Sequence, residues 1–205
     1  MEHVVAALFE VPSEAYQAFT ELRTFPQNDD TRLAQAVLVK KENGVITVAD
    51  AFNPLAQASD DMLTGTLIGS VLGILGGPLG VLFGAGVGAW VGSVGGTDEA
   101  LAQGTLIEAV ATRMKNGDVG IITLAQEKSE APLDQFFGKF RTIVARWDAW
   151  RIQQEVVDAL EVQADLQAKA RAELKAKRSQ ERKEKLEEFR QSIQQKFDEL
   201  KAKFK

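Results

Sequence analysis

Residues 65–96 read GTLIGSVLGILGGPLGVLFGAGVGAWVGSVGG, and how this stretch is read decides the fold. Twelve of its 32 residues are glycine and none is charged. Most of the glycines fall four apart: Gly65, Gly69, Gly73 and Gly77, then Gly80, Gly84, Gly88, Gly92 and Gly96. Glycine in a helix interior costs roughly 1 kcal/mol relative to alanine. Helical spacing of glycine therefore makes sense where two backbones approach closely, or where no water competes for backbone hydrogen bonds. Pro78, inside Gly76-Gly77-Pro78-Leu79-Gly80, reads as a tight turn between two helices. Ser59, Asp60 and Asp61 read as the cap of the first helix. The expectation is a glycine-zipper helical hairpin over 62–97.

Three environments suit such a hairpin: a bilayer, the core of a homo-oligomer, or an ordinary intramolecular core. Met62 to Thr97 is free of charge, which favours the bilayer. Each half, however, is about 16 residues and about 24 Å as a helix, short of a hydrocarbon layer of about 30 Å. Acids flank both ends, and the nearest basic residues are Lys41 and Arg113, so the positive-inside rule has nothing to act on. A hairpin also returns the chain to the side it left, letting the segments before and after it share one sheet. The run Gly84-Ala85-Gly86-Val87-Gly88-Ala89 matches a dinucleotide fingerprint in letters only. That motif needs a preceding strand and an uninterrupted helix, whereas Gly92, Gly95 and Gly96 follow here.

Outside the glycine block the pattern changes period. His3–Phe9 is an apolar, β-branched run of strand length. Val11-Pro12-Ser13-Glu14 marks a turn with Ser13 as the expected N-cap, and residues 13–24 read as an amphipathic helix. Leu33–Lys40 and Val45–Phe52 are strands joined through Asn43-Gly44, a pair that tolerates the positive φ of a type I′ turn. Beyond the block, Thr97-Asp98-Glu99 looks like a cap, Leu101–Lys115 like a helix ended by Asn116-Gly117-Asp118, and Val119–Ala125 like a fourth strand. Residues 133–140 suggest a short helix and Arg141–Arg146 a fifth strand. Strand, helix, strand, strand, insert, helix, strand is the order of a ferredoxin-like (split βαβ) α+β domain. It is formed here from 1–61 and 98–150.

From about Ile152 to the end there is neither proline nor glycine, so 151–205 reads as a long charged helix. Its last part carries a stripe at Leu186, Phe189, Ile193, Phe197, Leu200 and Phe204, spaced like a coiled-coil seam. Self-association is the expected use of that seam, ahead of lipid binding.

Taken together, AVLVKKENGVITV, TGTLIGSVLGILGGPLGVLFGAGVGAWVG, GDVGIITLAQE and RTIVARWDAW give a chain that resembles a bacterial domain-of-unknown-function family, number twelve sixty-nine in that series. Its members are usually described as predicted membrane proteins. The likeness covers roughly residues 3–160. It implies a ferredoxin-like domain with a glycine-zipper insert, and it brings no catalytic residues.

Composition narrows the chemistry further. The 205 residues include no cysteine and one histidine, His3, which excludes disulfides and thiolate chemistry and leaves no basis for a His-based triad or metal cluster. A net charge of −5 gives no nucleic-acid signature. The acidic pairs Asp29-Asp30, Asp60-Asp61 and Asp98-Glu99 each border a turn or helix start and are read as caps. Trp147 and Trp150, between Arg146 and Arg151, are read as covering the sheet or the base of the long helix. The N-terminus lacks a basic region and does not read as a signal peptide. No catalytic, cofactor or metal residues are expected. The leading expectation is a non-enzymatic, self-assembling protein at the cytoplasmic face of the membrane, with itself and lipid as partners. The alternatives are a cytoplasmic ring or shell with the hairpins inside, and a small-ligand sensor on the sheet.

Overall fold

Five apolar stretches form one antiparallel sheet in the computed structural model, which describes residues 1–54, 66–82 and 104–203. The strands are β1 (Glu2–Phe9), β2 (Thr31–Glu42), β3 (Val45–Phe52), β4 (Val119–Glu127) and β5 (Thr142–Asp148). The described helices are α1 (Pro12–Leu22), α2 (Leu67–Leu75), α3 (Pro78–Leu82), α4 (Leu106–Arg113), α5 (Ala131–Phe137) and α6 (Ala149–Lys203). Fold class is thus α+β, with a long C-terminal helix.

The strand order is β3-β2-β4-β1-β5, every neighbouring pair antiparallel. The β2–β3 hairpin turns as its Asn-Gly pair requires, with φ of 52° at Asn43 and 80° at Gly44. The hairpin strand β3 takes the edge, however, and β4 enters between β2 and β1. The cause is visible in the side chains. Val48 and Asp50 leave much of β3 exposed, a composition suited to an edge. VGIITLAQE, by contrast, buries both its faces, as a central strand must.

Because β1 and β2 are each antiparallel to β4, they run parallel to one another, and α1 joins them. In the same way β4 and β5 flank β1 and are joined by α5. Alternation along the strands then builds two cores. Val5, Ala7, Phe9, Leu33, Ala36, Leu38, Ile121 and Ala125 pack with Ala15, Phe19 and Leu22 of α1 and Leu133, Phe136 and Phe137 of α5. Phe9, Phe136, Phe137 and Phe140 meet mainly edge to face there. The intervening residues Val4, Ala6, Val37, Val39 and Ile122 are fully buried on the opposite face. There α2 and α3 lie against the sheet and α4 against them.

Local starts differ from expectation in instructive ways. Helix α1 begins at Pro12, one residue early, with Val11 at the N-cap and no side-chain cap bond. Proline at the first position has no N–H to satisfy, which lessens the need for Ser13. Helix α2 is capped by Thr66, whose Oγ1 accepts from Gly69 N at 2.9 Å. The expected caps at Ser59-Asp60-Asp61 and Thr97-Asp98-Glu99 lie outside the described residues. So does the start of the helix expected from Leu101; α4 begins at Leu106.

The chain divides into two compact units, Met1–Gln163 and Ala164–Lys205, with the boundary inside α6. The first contains the sheet, both helical layers and the base of α6. The second is helical through Lys203.

Candidate assembly surface and its anchors

The glycines of the first half of the block have two different fates. Helix α2 turns Ile68, Val71, Leu72, Ile74 and Leu75 inward. That leaves Gly73 and Gly76 exposed and Gly69 half-buried. Among the described residues the space above Gly73 is open: a Cβ there would meet none of their atoms within 4 Å. Gly77 and Gly80 serve the opposite purpose. A Cβ on Gly77 would strike the Gln163 side chain, and one on Gly80 would overlap the Leu75 backbone. Just before them Gly76 caps α2, and Pro78 opens α3. The four-residue series is thus not one groove: Gly77 and Gly80 permit a tight α2–α3 turn, while Gly73 presents bare helix to the outside. Gly65, Gly84, Gly88, Gly92 and Gly96 lie outside the described residues.

Helix α4, eight residues long, is held by both ends. Glu155 of α6 accepts from Leu106 N at 3.0 Å and Ile107 N at 2.8 Å. Thr105 Oγ1 accepts from Glu108 N at 3.2 Å. Three amides that a helix start leaves unpaired are satisfied by side chains, two of them by a carboxylate at the positive end of the dipole. At the other end Lys41 of β2, only 4% exposed, donates through Nζ to Ala111 O at 2.8 Å and Met114 O at 2.9 Å. Burial pushes the Lys41 ammonium below its ordinary pKa, and Asp118 opposes that shift only in part.

The end of β5 and the base of α6 also grip the approach to α4. Trp147, 3% exposed, donates from Nε1 to Gly104 O at 3.0 Å, and Arg151 Nη2 donates to the same oxygen at 3.4 Å. Trp147 is thus a buried residue of β5, and the expected covering role does not hold for Trp150. Trp150 is 68% exposed. Val157 and Leu160 are exposed on the same helix.

A polar cluster sits at the end of the sheet under α5. His3 Nδ1 is 3.0 Å from Glu127 Oε2, and Arg146 Nε donates to that oxygen at 3.3 Å. Arg146 Nη2 reaches Asp134 Oδ1 at 2.6 Å. Burial works against the Arg146 charge, but Glu127 and Asp134 outweigh it and hold the guanidinium above its usual pKa. Glu127 Oε1 and, opposite it in the β2–β4 register, Thr31 Oγ1 are buried without a protein partner. Asp29 and Asp30 pair with Arg32 and Lys128 at the surface, beside a groove of about 500 Å³. A second, more apolar groove of about 410 Å³ runs between Leu79, Ile107, Ala159 and Val162.

Among the described residues no group of three or more His, Cys, Asp or Glu is placed to hold a metal. No helix among them is long and apolar enough to cross a membrane. The tail residues Leu186, Phe189, Ile193, Phe197 and Leu200 fall within α6, and Phe204 lies outside the described residues. Sequence reasoning missed Lys41, Glu155 and Gln163. A lysine in an apolar strand, VLVKKE, was the one local signal for the first; nothing local marks the other two. Compared with known proteins, the chain matches no family model, no curated protein and no solved structure.

Proposed function

We propose that this protein is a self-assembling, non-enzymatic scaffold in which the outward face of α2 packs against a second copy. The observation that carries this reading is the open space above Gly73 among the described residues, on a helix that buries Ile68, Val71, Leu72, Ile74 and Leu75 on its other side. A helix that offers bare backbone pays about 1 kcal/mol per glycine in propensity. Close approach of another helix, at van der Waals distance from the backbone, offsets that cost. The exposed Val81 of α3 and the exposed Trp150, Val157 and Leu160 of α6 add apolar surface to the same unit.

A ferredoxin-like reading of the sheet belongs to this proposal. Its support is the order β5-β1-β4-β2, with α1 joining β1 to β2 and α5 joining β4 to β5. On this reading α5, rather than the helix after the glycine block, is the second helix of the plan. Everything from β3 to α4 is then an insert. The family resemblance carried by the hairpin strands and the glycine block is held on the same terms.

A second reading keeps the assembly at the cytoplasmic face of a membrane. It is favoured by the charge-free run from Met62 to Thr97. The packing of Ile68, Val71, Ile74 and Leu75 beneath α2 favours protein rather than lipid as the surroundings of residues 66–82.

Flotation with phosphatidylcholine–phosphatidylglycerol vesicles, beside light scattering in detergent-free buffer, separates the two readings. The first predicts one uniform multimer that stays in the aqueous fraction. Material that floats with vesicles, or needs detergent to stay dispersed, transfers the assembly to the bilayer. A detergent-free monomer that ignores vesicles overturns both.

A further inference from the structure

We propose that the end of β5 and the base of α6, from Trp147 to Gln163, form a clasp that keeps the α2–α3–α4 layer closed over the sheet. Opening it uncovers an apolar face that a second copy can cover. The inference rests on the self-assembly reading for the identity of the partner, but on geometry alone for the clasp.

The layer is made of short pieces. Helix α2 has nine residues, α3 five and α4 eight. Helices this short are marginal on their own, and what holds them is tertiary contact. Lys41 of β2 holds the end of α4, and the other fastenings described above come from one continuous stretch, the end of β5 and the base of α6. Glu155 takes the first two amides of α4. Trp147 and Arg151 share Gly104 O just before it. Gln163 lies against Gly77 at the α2–α3 turn by packing rather than by a hydrogen bond, and a Cβ there would collide with it. Three sites on the layer, Gly77, Gly104 and the first amides of α4, are thus met by a single stretch of chain, the end of β5 and the base of α6.

The opposite layer has its own fastenings. Arg141, just before β5, binds the Glu14 carboxylate of α1 through its backbone N at 2.8 Å and its guanidinium at 3.0 and 3.1 Å. Arg146 ties α5 through Asp134. Loosening the base of α6 therefore frees one face of the sheet and leaves the other intact. The surface beneath is apolar apart from the buried Lys41: Val4, Ala6, Val37, Val39, Ile46 and Ile122. Removed from water it is stable, and exposed it seeks a cover.

Amide hydrogen exchange on the full chain tests the clasp. Glu155→Ala should speed exchange of amides 68–75 in α2 about tenfold or more, the factor that the loss of one charge-assisted hydrogen bond represents. Amides of β1, β4 and α1 should keep their wild-type rates. Glu155 makes its hydrogen bonds to α4, so an effect in α2 reports the layer opening as a unit. Acceleration confined to residues 106–108 would make Glu155 a local cap and overturn the proposal. Equal acceleration across the sheet would mean global destabilisation and overturn it too. Gln163→Ala attacks the far end without touching α4. It should reproduce the pattern, with α4 now the remote reporter, and it serves if Glu155→Ala does not fold. Exchange reads the clasp in monomer and multimer alike, whereas the self-assembly reading fails only in a size measurement.

Discussion

At the scale of single residues, the placement of one buried ammonium makes a prediction about pH. Lys41 holds the last carbonyls of α4, and its neutral amine can still donate to both. Burial lowers its pKa in the folded protein, while the unfolded chain keeps the ordinary 10.5. Between those two values the unfolded chain binds more protons, so the stability contributed at this site rises as pH climbs towards 10.5 and is level above it. Urea denaturation from pH 7 to 10.5 should show wild type gaining stability relative to Lys41→Met across that interval. A constant difference between the two would contradict the assignment. Residue chemistry was only partly legible in the sequence. Asn43-Gly44 declares its turn because the constraint is local. The bonds of Lys41 to residues 70 and 73 positions away, and of Glu155 to residues 48 and 49 away, have no local signature.

At the scale of elements, the two glycines Gly73 and Gly80 look alike in sequence and should behave oppositely. Gly73→Ala places a methyl in open space and gains helix propensity, so it should raise stability by up to about 1 kcal/mol. Gly80→Ala drives a Cβ into the Leu75 backbone and should cost about 1–3 kcal/mol. Thermal or urea unfolding of the pair checks this, and equal effects would refute the division of the series into inward and outward glycines. All five strands were readable from period and composition, because each is a run of β-branched or apolar residues of strand length. Their order was not. A hairpin between β2 and β3 says only that these two pair. That β4 enters beside β2, pushing β3 to the edge, follows from burial on both faces of VGIITLAQE against the exposed Thr47, Val48 and Asp50. Such a comparison needs both strands in place.

At the scale of the whole molecule, the sheet separates two helical layers of unlike construction. One is an aromatic core under α1 and α5. The other is a set of short helices, two of them from the glycine block, with polar bonds from Lys41 of β2, Trp147 of β5 and the base of α6. The glycine spacing of the block leads to the expectation of a helical zipper, whereas in its described half Gly77 and Gly80 serve the α2–α3 turn and Gly73 faces outward. The block did not announce that its first half would lie on the sheet, because apolar residues at 68, 71, 74 and 75 suit lipid and protein equally. The central claim is that the bare face left outside that layer is where copies meet. Sedimentation velocity of the full-length protein, wild type beside Gly73→Leu, tests it most directly. The account predicts a multimer for wild type and a monomer, still folded by circular dichroism, for the leucine variant. A wild-type monomer, or a leucine variant that sediments as the wild-type multimer does, would contradict it.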